Sequence, residues 1–193
     1  IYYMSEDNAN NNESVKSQPV VLDKSAPTTS LSYSYYTNGT HKFVSESTQF
    51  TLSASDQYSG VDTTKYKIDS GSWTTYTGPF TLTGYSEGKH TIYYNSTDNL
   101  GHVETTKSET VYLDKTPPSS SISFDYYLSG GTYYVNASSE FTITASDSLS
   151  GVANIYYRID GGAWQTYSAP FTLASYSEGS HTIEYYAVDN VGN

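Results

Sequence analysis

The sequence has 193 residues, with 9 Lys and Arg against 20 Asp and Glu, a net charge of -11, no cysteine and 22 tyrosines. This acidic balance repels phosphate backbones and acidic membrane surfaces, so nucleic acid is not an expected partner and cations are the natural company. No run approaches the roughly 18 apolar residues of a membrane helix, disulfide staples are excluded, and abundant Tyr, Ser and Thr suit half-buried strands. The chain is therefore expected to be all-β, with no membrane insertion in this segment.

In chain order, the first block repeats later. IYYMSEDN at residues 1–8 returns as IYYNSTDN at 92–99 and as IEYYAVDN at 183–190. VLDKSAPTTS at Val21 returns as YLDKTPPSSS at Tyr112, and the match runs on without a gap. Asp23 to Asp114, Asp56 to Asp147, Trp73 to Trp164, His90 to His181 and Asp98 to Asp189 all differ by 91 positions. A period of this size, built from short alternating segments and turn signals, has the dimensions of a seven-stranded β-sandwich. The expected organisation is a tail at 1–22, a first repeat at 23–113, and a second repeat at 114–193 that lacks its last strand. The tail would be strand G of a preceding repeat, or a donor strand.

Within the first repeat, alternation predicts strands at 29–36 (A), 48–55 (B), 63–69 (C), 72–76 (C′), 79–83 (E), 89–97 (F) and 103–112 (G). The second repeats them 91 residues on, without G. Asp69-Ser70-Gly71 and Asp160-Gly161-Gly162 read as tight hairpin turns. Pro27, Pro117 and Pro118 mark stiff entries into the two repeats, since proline fixes φ and cannot donate to a ladder.

The segment YRIDGGAWQTYSAPFTLASYSEGSHTIEYYAVDNVGN resembles the Ig-like repeats of secreted bacterial and archaeal surface proteins, the outer-membrane-type β-repeat family. That pattern is a D-G-G-x-W turn, a G-x-H-T strand start, D-x-x-G-N, and then D-x-T-x-P. The first repeat departs from it: Ser70 stands in the place of a glycine, and His102 stands where the pattern has Asn. The resemblance implies two tandem Ig-like sandwiches and, for function, only a spacer, adhesive or accessory module.

In such a sandwich the start of strand A and the B–C and F–G loops share one pole. Asp23, Asp56 and Asp98 would then converge in the first repeat, and Asp114, Asp147 and Asp189 in the second, each set near a domain junction. Two readings stand. The carboxylates suit calcium, which takes six to eight oxygens. Alternatively, they accept backbone N–H groups in turns, with Lys24 or Lys115 pairing nearby. Trp73 and Trp164 could form a platform for sugar rings, or pack over the sheet against Pro79 and Pro170. His90 and His181 each stand alone without a second ligand at metal spacing, and read as structural.

Sequons at Asn12, Asn38, Asn95 and Asn136 allow glycosylation of an exported protein, in numbers that this Asn, Ser and Thr content produces by chance. No nucleophile, phosphate-loop or acid–base signature occurs, so no enzyme activity is expected. The expected role is that of a structural repeat in an extracellular stalk, adhesin shaft or filament at the cell surface. It would extend head to tail against identical subunits or flanking repeats, with Val15, Val20, Val21 and Leu22 as the strand donor to a sandwich that lacks strand G. The alternative is a carbohydrate-binding accessory module of a secreted glycoside hydrolase, with glycans as partners.

Overall fold

A computed structural model describes residues 1–193, and every regular element in it is a strand. The tail contributes β1 (Tyr2–Tyr3) and β2 (Lys16–Ser17). The first repeat contributes β3 (Thr28–Ser32), β4 (Tyr36–Thr37), β5 (Lys42–Val44), β6 (Thr51–Ser55), β7 (Val61–Ile68), β8 (Thr74–Thr75), β9 (Gly88–Asp98) and β10 (Lys107–Leu113). The second contributes β11 (Ser119–Ser123), β12 (Tyr127–Ser129), β13 (Thr132–Tyr134), β14 (Thr142–Ser146), β15 (Val152–Ile159), β16 (Gln165–Thr166) and β17 (Ile183–Asp189).

In the first repeat, β3 pairs with β6, and the hydrogen-bonded order β4-β5-β10-β9-β7-β8 makes the second sheet. In the second repeat the corresponding pieces are β11-β14, the hairpin β12-β13 and the three-stranded β16-β15-β17. The fold is thus all-β with Ig-like sandwich sheets, as the alternation requires. Strand β9 illustrates the rule: His90, Ile92, Tyr94, Ser96 and Asp98 are buried while the residues between them are not. Successive side chains on a strand point to opposite faces, so one row enters the core.

The chain divides into two compact units. One comprises Ile1–Leu31, Leu52–Gly78 and Tyr93–Ser108, the other Ser32–Thr51, Pro79–Ile92 and Glu109–Asn193. The interior of the first unit is partly polar. The buried Glu104 carboxylate accepts the Thr29 amide at 2.9 Å and pairs with Lys107 at 2.7 Å, while Ser96 Oγ meets Thr29 Oγ1 at 2.6 Å and Thr64 Oγ1 at 2.8 Å. Burial opposes the Glu104 charge, but Lys107 and Thr29 more than offset it and hold the carboxyl below its usual range.

The second unit has apolar interiors. Phe50 stacks on Phe80 with centroids 5.4 Å apart, among Val44, Leu82, Ile92, Val111 and Leu113. The second repeat reproduces this pair as Phe141 on Phe171, also at 5.4 Å, with Tyr157 stacked on Phe171 at 4.2 Å. Offset stacking of this kind adds to the area buried.

Four expectations are corrected. Strand A does not run from 29 to 36. It stops at Ser32, and β4 instead forms a hairpin with β5, because Asn38 Oδ1 accepts the amides of Thr40 and His41 and Gly39 takes φ 89°. Strand E is reduced in each repeat to one bridge, Phe50 with Phe80 and Phe141 with Phe171. Strand G begins at Lys107 rather than 103. In the tail at 1–22, expected as a strand G, only Lys16–Ser17 and Tyr2–Tyr3 form strands, paired antiparallel to each other. Val15, Val20, Val21 and Leu22 are exposed there, since no second sheet covers them.

Candidate functional site

The aspartate that opens the F–G loop is built three times. Asp7, Asp98 and Asp189 each donate their own amide to the carbonyl four residues on, at Asn11, His102 and Asn193. Each Oδ1 accepts amides inside the loop: Ala9 and Asn11, Leu100 and His102, and Val191, Gly192 and Asn193. Each Oδ2 takes the side chain of the fourth residue, Asn11 Nδ2 at 2.9 Å, His102 Nδ1 at 2.6 Å and Asn193 Nδ2 at 2.8 Å. The turn passes through positive φ at Asn10, Gly101 and Gly192, which explains the D-x-x-G-N pattern.

The other two aspartates of each repeat reach the same loops. Asp23 Oδ1 accepts the Ser25 amide and hydroxyl, and its Oδ2 accepts the Ser59 amide at 3.0 Å. Asp114 Oδ1 accepts the Thr116 amide alone, and its Oδ2 accepts the Ser150 amide at 2.9 Å. Asp56 Oδ1 closes its turn on the amides of Tyr58 and Gly60, and Asp147 Oδ1 closes its own on Leu149 and Gly151.

The two sets differ in outcome. In the second repeat Asp114, Asp147 and Asp189 each bring a carboxylate oxygen within 4.8 Å of the others, and Asp114 and Asp189 are buried. In the first repeat the equivalent group is Asp23, Asp98 and His102, and Asp56 is not part of it. The Ser59 hydroxyl and the Ser25 amide hold the Asp23 carboxyl far below the usual carboxylate range. For Asp98, burial opposes the charge, and the His102 ring with the amides of His102 and Leu100 outweighs it. His102 is raised by its bond to Asp98, against burial, and further by Asp23 and Asp56. The sequence signal for this exchange is His102 itself, in the place where the pattern has Asn.

Between the repeats there is no loose linker. The Lys115 amide donates to Glu87 Oε2 at 3.1 Å, Thr116 Oγ1 donates to the same oxygen, and Lys115 Nζ meets the Tyr85 carbonyl at 3.2 Å and Glu46 Oε1 at 2.9 Å. Asp114 continues the ladder by donating its amide to the Val44 carbonyl. A carboxylate partner for Lys115 was one of the two readings of the residues, whereas the part of Glu87 in this clamp was not legible.

The remaining predicted positions are placed as follows. His90 Nε2 lies 2.7 Å from the Ser86 carbonyl, and His181 Nε2 lies 2.7 Å from that of Ser177, with His181 Nδ1 on Asp160 Oδ2 at 2.6 Å. Trp73 and Trp164 are each 42% exposed, but Lys67 and the Arg158 guanidinium lie over their rings, and Tyr186 meets Trp164 edge-on. Of the sequons, Asn12, Asn38 and Asn136 are exposed, whereas Asn95 lies within β9 with Nδ2 donating to Thr106 Oγ1.

The second repeat also has an open edge. In the first repeat β10 lies parallel on β5, with Tyr112 opposite Phe43 and Leu113 opposite Val44, and both β5 residues are buried. The equivalent Tyr134 is paired only with Tyr127 of β12, Val135 lies just past β13, and the two are 56% and 37% exposed. They line a groove with Asp125, Tyr126, Tyr127, Asn136 and Ser139.

Residues 74–164 match the family model of the bacterial Ig-like domain (group 3), a stretch of one full period that starts after Trp73 and ends on its copy Trp164. Among solved structures, the fibronectin(III)-like modules of CbhA from Clostridium thermocellum align over 84% of this chain and 87% of theirs, with 13% identity and a TM-score of 0.44. No curated protein matches the chain. By its sheets the chain is an all-β protein of Ig-like sandwich fold, and through residues 74–164 it is similar to the bacterial Ig-like domain of group 3.

Proposed function

We propose that the chain is a non-catalytic structural module of an extracellular stalk, adhesin shaft or filament, whose repeats join head to tail. Ig-like domains of bacteria are commonly extracellular and generally non-catalytic, which supports the general class. The clamp of Lys115 and Thr116 on Glu87 and Glu46 favours a rod of fixed joints over beads on a flexible string.

The joint between molecules is strand complementation, carried by one observation: Val21 and Leu22 are 77% and 71% exposed, while the groove at Tyr134 and Val135 lacks the partner that Tyr112 and Leu113 provide to Phe43 and Val44. The segment Val15–Leu22 of a second copy has the sequence position of that partner, 91 residues earlier. Main-chain pairing along the open edge would give affinity, and the alternate side chains would give register.

The chain has no cysteine, so a designed pair reports the contact without background. Val21→Cys mixed with Tyr134→Cys should yield a disulfide-linked dimer of one chain of each under oxidation, the double variant carrying both cysteines should yield a ladder of oligomers, and Leu22→Asp should suppress both. Chains that remain monomeric at all concentrations and form no such disulfide, with the second repeat folded, would refute strand donation.

The competing reading is an accessory module that grips polysaccharide through Trp73 and Trp164, whose rings remain 42% exposed. Glycan binding that disappears in Trp164→Ala would favour it over the mechanical role.

A further inference from the structure

We propose that Asp114, Asp147, Asp189 and Ser150 hold one calcium ion in the second repeat, at a site that the first repeat closes with His102. Three carboxylate oxygens lie within 4.8 Å of one another there. Calcium bonds oxygen at about 2.3–2.6 Å, so two ligands on opposite sides of the ion stand about 4.6–5.2 Å apart, and the cluster has the span of one coordination sphere.

Three like charges held together, two of them on buried residues, repel unless a counter-charge meets them. The nearest basic residue in sequence, Lys115, is turned to Glu46 and to the Tyr85 carbonyl. Asn193, which bonds Asp189 Oδ2, is neutral.

A second observation points to a ligand. Ser150 is 4% exposed and its hydroxyl has no hydrogen-bond partner, although its amide donates to Asp114 Oδ2 and its carbonyl accepts Asn190 Nδ2. A buried hydroxyl left unmet is unfavourable unless some group supplies the missing interaction. Its copy Ser59, bonded through the same amide to Asp23 Oδ2, turns its hydroxyl onto Asp56 Oδ1 at 3.5 Å and also acts on Asp23 and Asp98. The Ser150 hydroxyl occupies this repeat position beside the cluster, with its own amide on Asp114 Oδ2 and no partner for the hydroxyl itself. A hard cation would take it as a fourth oxygen, with water completing the sphere on the side where a depression lined by Thr116, Pro117, Ser119, Asp147 and Ser148 opens beside Asp147.

The first repeat carries the contrast. His102 brings its ring to Asp98 at 2.6 Å and stands within the carboxylate group, where the second repeat has the neutral Asn193 amide on Asp189 at 2.8 Å. The ring takes the cation's place, so the chain binds one ion and not two.

Calorimetric titration of the full chain with calcium, in excess magnesium, tests this. One saturable site per chain is expected. Asp147→Asn retains the Oδ1 that closes the turn on Leu149 and Gly151 but removes the charge, and should weaken binding at least about tenfold, because affinity follows ligand charge count. Ser150→Ala should weaken it without unfolding, and Asp56→Asn should leave it unchanged. A folded chain with no saturable calcium binding, or one whose binding is indifferent to Asp147→Asn, would overturn the assignment. So would two equal sites, or loss of binding in Asp56→Asn.

Discussion

Leu22 and Leu113 occupy the same position of the repeat, 91 residues apart, yet Leu113 is fully buried and Leu22 is 71% exposed. The difference comes from the partner. Leu113 is set opposite Val44 within the sheet, on a strand flanked by β5 and β9, and is buried like Val111 and Ile92, whereas Leu22 follows a two-residue strand paired only with Tyr2–Tyr3.

Truncating the two leucines should therefore have unequal effects on the monomer. Leu113→Ala should cost about 2–5 kcal/mol in urea unfolding, as expected for a buried leucine, while Leu22→Ala should stay within about 0.5 kcal/mol. If the proposed strand donation holds, the same Leu22→Ala should also lower the association constant measured by sedimentation.

The junction is the next test. Glu87→Ala removes the acceptor of both the Lys115 amide and the Thr116 hydroxyl. Because these groups are exposed, the expected loss is about 1 kcal/mol. Its signature is in cooperativity: one melting transition should split into two as the repeats uncouple, and a single unshifted transition would exclude a stiff joint.

The pair of His181 and Asp160 predicts a pH window for the second repeat. Its hydrogen bond to Asp160, and then that to the Ser177 carbonyl, raise the His181 ring above its ordinary value of about 6.5. Stability from a raised group is fully present below the unfolded value and is lost as pH rises through the folded one. Asp160 is lowered, first by His181 and then by the Thr182 amide, so its contribution is present above about 3.9 and lost as pH falls through its folded value. Melting temperature should thus peak between about pH 4 and 6.5 and fall on the alkaline side, with His181→Asn flattening that side. Proton NMR should place the His181 titration above that of a model peptide.

Backbone conformation yields the last prediction. Gly101 takes φ 88° with open space around the site of a Cβ, so Gly101→Ala should cost about 1 kcal/mol from conformation alone. Gly101→Asn should cost less, because Asn10 adopts φ 63° at the matching position of the tail. Thermal unfolding of the two variants measures the difference.

Much of this arrangement was legible in the residues. The ungapped period assigns Asp7, Asp98 and Asp189 to one loop type, and alternation locates β6, β7 and β9 within a few positions. The hairpin of β4 and β5 was missed although Asn38-Gly39 is a turn signal, because Tyr36 was read as the end of strand A and Phe43 was placed in no strand. The cluster in the second repeat follows from the poles of a sandwich. The substitution of His102 for Asp56 in the first does not, since a ring four residues after Asp98 reaches it only through the particular turn at Gly101.

Composition and periodicity by themselves determined that this protein is all-β, acidic and duplicated, because strand pairing and turn chemistry are written in local patterns of two and in recurring Gly, Pro and Asp. Tertiary structure alone decided which copies of a residue are buried, that His102 rather than Asp56 joins Asp23 and Asp98, and that Lys115 and Thr116 meet Glu87. Those outcomes depend on contacts between segments tens of residues apart, where identical sequence positions acquire different neighbours.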